Sequence, residues 1–162
     1  MMKKFKCKEA LEKRFPHVKF YGPASIGKNV VIGDGTGIGE WVKISDNCRI
    51  GRNCRILYHA SLSKDVTLED GVFVGPGARF SNDKYPPTKR SVGVYVEEEA
   101  IIGINTCVGA GVRVGRRAVV GMGAVAIKDV PAETVVIGNP ARFLCSRAKY
   151  DEKQLEWIEG TI

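Results

Sequence analysis

One short stretch and one histidine carry the residue types from which chemistry can be built. Residues 80 to 90 read FSNDKYPPTKR, with an Asn-Asp pair, a tyrosine, paired prolines and the cations Lys84, Lys89 and Arg90. Asn82 and Asp83 offer amide and carboxylate hydrogen bonds, Tyr85 offers a ring, and the cations attract phosphate. His59 follows Tyr58, and an ordinary imidazole titrates near neutrality, which suits a general base. The plain alternative for His59 is a surface histidine. His17, the only other one, stands in the leading segment and is read as incidental. Further on, Gly103, Gly109, Gly121, Gly123 and Ala124 are small enough for backbone to approach a long flexible ligand, although glycine also serves turns. Two histidines, one outside the repeating part, do not make a three-histidine zinc site. No Ser-His-Asp set is evident, so no covalent intermediate on the protein is expected.

The bulk properties narrow the setting. The chain has 162 residues, enough for one domain, and a formal charge of +7. Its basic residues are dispersed and no nucleic-acid motif appears, so small phosphorylated ligands fit the charge at least as well as nucleic acid. No apolar run is long enough to span a bilayer. The opening MMKKFKCKEALEKRF has no apolar segment behind its cations, so a cytoplasmic protein with no membrane partner is expected. Five cysteines, without paired spacing, read as separate reduced thiols.

These residues need something to position them, and the chain supplies a repeat. Ile26, Ile32, Ile38, Ile44, Ile50, Ile56, Leu62, Leu68, Val74 and Phe80 recur every six residues. Four residues after each of the first nine comes a small or β-branched one: Val30, Thr36, Val42, Cys48, Cys54, Ala60, Val66, Val72, Ala78. The pattern restarts at Val96 and runs through Ile102, Val108, Val114, Val120 and Ala126. A helix needs a period near 3.6 and an ordinary strand a period of two, so six means short strand, turn, short strand. Each rung leaves bare edges and must stack on another about 4.8 Å away, which gives an all-β parallel β-helix. Cys48 and Cys54 fall in its small inward slots. Phe80 and Val96 are sixteen residues apart, not a multiple of six, so a loop over 83–95 leaves the coil after Asn82, and Pro86 and Pro87 keep it out of the ladder. The reading in order is a capping segment over 1–19, a β-helix over 20–143 and a helical tail over 144–162, with short helices near 4–15 and 146–158.

The stretch VTLEDGVFVGPGARFSNDKYP resembles a segment of the acetyltransferases that act on amino groups of dTDP- or UDP-linked 3-amino sugars, within the hexapeptide-repeat acyltransferases. The run GAGVRVGRRAVVGMGAVAIKDVPAETVVIGNPAR is similar to their closing coils. With IGDGTGIGEWVKI, the resemblance covers roughly residues 20 to 143. Where many relatives carry an aromatic-histidine element this chain has Gly39, Glu40 and Trp41, and Ser63, Lys64 and Asp65 replace a frequent Tyr-Glu-Gly. The resemblance implies a left-handed coil, a homotrimer with sites in the clefts between chains, and acetyl-CoA as cosubstrate with no metal.

It also implies roles. A sugar amine would attack the thioester directly, with His59 as base and Asn82 orienting the sugar or its amine. Asp83, Tyr85 and Arg90, with Lys84 and Lys89, would meet sugar hydroxyls or the diphosphate. Gly103, Gly109, Gly121 and Ala124 would line the CoA arm, and Lys128 and Arg142 would stand near its nucleotide. Counting hexads, the sequence reading sets His59 and Asn82 at one corner on neighbouring rungs. Two other readings stay open: transfer to a sugar hydroxyl, and a non-catalytic solenoid used for assembly.

Overall fold

A computed structural model describes residues 5–88 and 90–161; Lys89 lies outside the described residues. The inward large residues and the glycine-marked corners coil the chain into a left-handed parallel β-helix with three flat faces. The first face stacks Lys19–Phe20, Gly37–Ile38, Arg55–Ile56, Phe73–Val74, Ile101–Ile102, Val119–Val120 and Thr134–Ile137. The second stacks Ser25–Ile26, Lys43–Ile44, Ser61–Leu62, Arg79–Phe80, Cys107–Val108 and Val125–Ala126. The third stacks Val31–Ile32, Arg49–Ile50, Thr67–Leu68, Tyr95–Val96 and Arg113–Val114.

The core is one continuous column. Ile38, Ile44, Ile56, Leu62, Leu68, Val74 and Ile102 are fully or almost fully buried, and every small slot from Val30 to Ala78 is buried with them. The slots that hold polar atoms, Thr36, Cys48, Cys54 and Thr106, are each satisfied by a carbonyl. Thr36 Oγ1 donates to the Gly51 carbonyl at 2.9 Å, and the Cys48 thiol donates to the Ser63 carbonyl at 3.1 Å. Burial pushes the Cys48 thiol up to about 11.

Both ends are closed. Helix α1 (Lys8–Arg14) has Glu9 in its first turn and Lys13 and Arg14 in its last, a charge order that suits the helix dipole. It drives Leu11 into the open end of the column beside Phe15 and Phe20. At the other end the strand Arg142–Ser146 folds back antiparallel on Thr134–Ile137, an element that the repeat does not foretell. Helix α2 (Arg147–Glu159) follows, capped by Ser146 and held by Arg147 and Asp151 against Arg117.

Candidate functional site

The corners position the site. At each corner a residue with positive φ turns the chain, and its N–H donates to a carbonyl one rung below. The corner between the first and second faces carries five such bonds without a break, from Trp41, His59, Gly77, Asn105 and Gly123. The corner between the third and first faces is also continuous, from Gly35 through Glu133. The corner between the second and third faces is not. Asn47 N–H meets the Lys28 carbonyl at 2.9 Å and Asp65 N–H meets the Asp46 carbonyl at 3.2 Å, and then the loop intervenes. By that pattern the Asn82 carbonyl would serve Gly111, but Val92 N–H takes it at 2.9 Å. Gly111, at φ +73°, keeps its N–H without a protein acceptor among the described residues.

Over this break lies a cavity of about 490 Å³, walled by Asn82, Tyr85, Thr88 and Arg90 from the loop and by Ala110 and Gly111 from the rung beyond. Asp83 builds the loop. Its Oδ2 accepts from Thr88 N–H at 2.6 Å, and its Oδ1 accepts from Thr88 Oγ1 at 2.9 Å and Tyr85 N–H at 3.1 Å. These bonds, the one from Thr88 N–H foremost, hold the Asp83 carboxyl below the usual carboxylate range. Asp83 is therefore committed first to the loop, where the sequence reading gave it to a ligand. The Lys84 ammonium sits 5.6 Å from the centre of the exposed Tyr85 ring. Val94 then returns the chain to the core.

Asn82 is tied by a chain of side chains along this corner. Its Nδ2 donates to Ser91 Oγ at 2.9 Å, and Ser91 Oγ donates to Asp65 Oδ2 at 2.6 Å. Asn47 Nδ2 donates to Asp65 Oδ1 at 3.1 Å, and Asn29 Nδ2 to Asn47 Oδ1 at 3.2 Å. The bonds from Ser91 and then Asn47 hold the Asp65 carboxyl below its ordinary range.

His59 is not here, which corrects the hexad count. It turns the corner between the first and second faces, with its ring edge-on to Tyr58. The strand Ser61–Leu62 crosses the whole second face between His59 and the rung from which Asn82 follows. One chain does not bring the two together. The His59 corner is apolar instead: Trp41, Tyr58, Ile104 and Met122 are all exposed along it.

The second face joins the two corners. A recess of about 390 Å³ runs over it past Ser63, Arg79, Ser81, Cys107, Gly109 and Ile127. Ser81 and Gly109 adjoin Asn82 and Ala110, so the recess leads to the loop cavity. Lys128 stands one rung beyond Ala110 on the same corner, and Arg142 begins the antiparallel strand at the far end. The other small residues divide differently. Gly103 and Gly121 belong to the first face, where an added Cβ would come within 2.6 Å of Met122 N and 2.7 Å of Ile137 Cγ2. Ala124 is a core slot, fully buried. The N–H groups of Gly103, Gly109 and Gly121 all donate to the ladder, so none is open to a ligand's anion. Gly111, Ser91, Asp65 and Thr88 escaped the sequence reading. Only the phase break, followed rung by rung, signals the first of them.

Known proteins share this repeat. The family model "Bacterial transferase hexapeptide (six repeats)" matches residues 23–57, and "Hexapeptide repeat of succinyl-transferase" matches 41–77 and 93–126. A 2,3,4,5-tetrahydropyridine-2,6-dicarboxylate N-acetyltransferase of Staphylococcus aureus is 36% identical over 92 residues, 57% of this chain and 38% of that protein. The chain thus spans well under half the length of the curated relatives that it matches. A GDP-perosamine N-acetyltransferase variant of Caulobacter crescentus, solved with CoA and GDP-perosamine, superposes with a TM-score of 0.65 at 26% identity, over 80% of this chain and 54% of that one. The acetyltransferase domain of PglB from Neisseria gonorrhoeae, solved with acetyl coenzyme A, gives 0.69 at 25% identity, over 79% and 58%. The matched repeats cover more than half of the sequence, the coil they encode is the one observed, and the chain belongs to the hexapeptide-repeat transferases.

Proposed function

We propose that the chain transfers acetyl from acetyl-CoA to the amino group of a nucleotide-linked sugar. The observation that carries this reading is the cavity at the broken corner, which Asn82, Lys84 and Arg90 line together with Gly111, whose N–H meets no protein acceptor among the described residues. The relative solved with CoA and GDP-perosamine, the PglB domain solved with acetyl coenzyme A, and the curated N-acetyltransferases support it. The sugar lies under the loop with its diphosphate toward Lys84 and Arg90. The CoA arm lies in the recess of the second face, with Lys128 toward its nucleotide. The amine nitrogen attacks the thioester carbon, and the carbonyl oxygen becomes an anion that Gly111 N–H stabilises. Asn82 Oδ1 accepts a hydrogen bond from the amine and aims its lone pair. The nitrogen loses a proton, the C–S bond breaks, and the thiolate departs to be protonated.

His59 takes that proton as a residue of a second copy. Its corner exposes Trp41, at 46%, and Met122, at 77%, and another chain packed there removes both from water. A homotrimer in which each apolar corner meets a neighbour's second face sets His59 beside that neighbour's cavity. The protein is then expected to bind acetyl-CoA in calorimetry. It is expected to release free thiol with GDP-perosamine or with dTDP- or UDP-linked 3-amino hexoses. Absence of acetyl-CoA binding at millimolar concentration would remove the whole reading. Binding with turnover only on sugar hydroxyls would move it to O-acetyl transfer.

A further inference from the structure

The amide of Asn82 has two chemically opposite ends, and the corner ladder decides between them. A carboxylate only accepts hydrogen bonds, so the single proton of Ser91 Oγ goes to Asp65 Oδ2, 2.6 Å away. Ser91 Oγ is then an acceptor toward Asn82, which must offer Nδ2, as it does at 2.9 Å. The same carboxylate forces Asn47 to offer its Nδ2 at 3.1 Å from below. Asp65 is thus the one member of this ladder that accepts from both sides, and the polarity of every other member follows from it. We infer that Asp65 and Ser91 are positioning residues that turn the Nδ2 end of the Asn82 amide to Ser91 and so leave Oδ1 as the acceptor for the cavity. The inference rests on the site reading above, in which Oδ1 accepts from the attacking amine.

The ladder can be reversed with one atom. Asp65 turns the corner at φ +64°, a conformation that asparagine tolerates, so Asp65→Asn leaves the backbone unstrained. Asn47 keeps an oxygen to donate to, and the introduced NH₂ faces Ser91. The Ser91 hydroxyl is released to donate to Asn82, whose amide turns over and offers a donor to the amine.

The test compares Asp65→Asn, Ser91→Ala, Ser91→Thr and Asn82→Ala, with thiol release from acetyl-CoA and the amino-sugar nucleotides named above. Proton exchange of the Asn82 side-chain NH₂ is read by nitrogen-15 NMR without substrate. Asp65→Asn is expected to lower kcat on the order of 10²-fold, with KM for acetyl-CoA unchanged, and to speed that exchange. Ser91→Thr, which keeps the hydroxyl, is expected to restore most of the turnover that Ser91→Ala loses. If Asp65→Asn does not fold, the Ser91 pair decides alone. Wild-type kinetics and exchange in Asp65→Asn and Ser91→Ala, beside an inactive Asn82→Ala, overturn the positioning role and leave the site standing. Wild-type turnover in Asn82→Ala overturns the site and the role together.

Discussion

Two corners border the second face, and they are built in opposite ways. One, with Trp41, Tyr58, His59, Ile104 and Met122, keeps its backbone ladder whole and shows apolar side chains to water. The other, with Asn29, Asn47, Asp65, Ser91 and Asn82, is lined by polar side chains and loses its ladder where the loop departs. On the proposed reading, a solenoid makes a site by failing to repeat. An intact corner satisfies its own N–H groups and has only side chains to offer, so it suits contact with another chain. A broken corner leaves backbone donors for a ligand, and the loop that breaks it supplies the walls.

The largest expected effect tests whether the two corners work together. His59→Ala alone is expected to lower the maximal rate about 10²-fold, the lower range for loss of a general base. If the base comes from a second copy, unfolding and refolding a mixture of His59→Ala and Asn82→Ala chains restores activity, because some clefts then receive both intact residues. A mixture no more active than either parent confines His59 to its own chain.

A smaller effect isolates the loop. Asp83→Asn puts an amide donor against Thr88 N–H or Tyr85 N–H and leaves at least one of them unpaired. An increase of about tenfold in KM for the amino sugar is expected, with KM for acetyl-CoA unchanged. The pH dependence follows from the carboxyls of Asp83 and Asp65, both held below the ordinary range. A depressed folded pKa contributes stability that is present above the unfolded value, near 3.9, and is lost as pH falls through the folded one. Loop protection from proteolysis is therefore expected to be level from about pH 5 to 8 and to fall only below about 4. Loosening between pH 6 and 7 would assign loop order to another group.

The smallest effect concerns the column behind both corners. Burial raises the Cys48 and Cys54 thiols, and the thiolate is the reactive form. Exposed Cys7 is expected to label within minutes at pH 8, and Cys48 and Cys54 only on unfolding. Labelling of Cys48 in the native protein would mean that the coil opens there.

The coil was legible because its period is physical: each large residue at six-residue spacing from Ile26 to Phe80 faces the column, and Cys48 and Cys54 fill the slots assigned to them. The loop was legible as a phase break at Asn82. Hexad counting places rungs more surely than corners: His59 precedes the strand Ser61–Leu62, whereas Asn82 follows Arg79–Phe80, the strand stacked on it, so the two stand at opposite edges of the second face. Asp65 was visible only as a departure from a family pattern, since its importance lies in Ser91, twenty-six residues away in sequence and reached only through the loop's closure. Gly111 gave no signal of its own, because a missing bond is seen only against the bonds that neighbouring rungs make.

The interruption of the coil is proposed as the acceptor site. Joining Asn82 directly to Gly93 removes ten residues and restores the six-residue period between Phe80 and Val96. The account predicts that this shortened chain folds, melts at or above the wild-type temperature and binds acetyl-CoA as before, yet transfers no acetyl to any amino-sugar nucleotide that the wild type accepts. Retained transfer by a folded chain without the loop would contradict it.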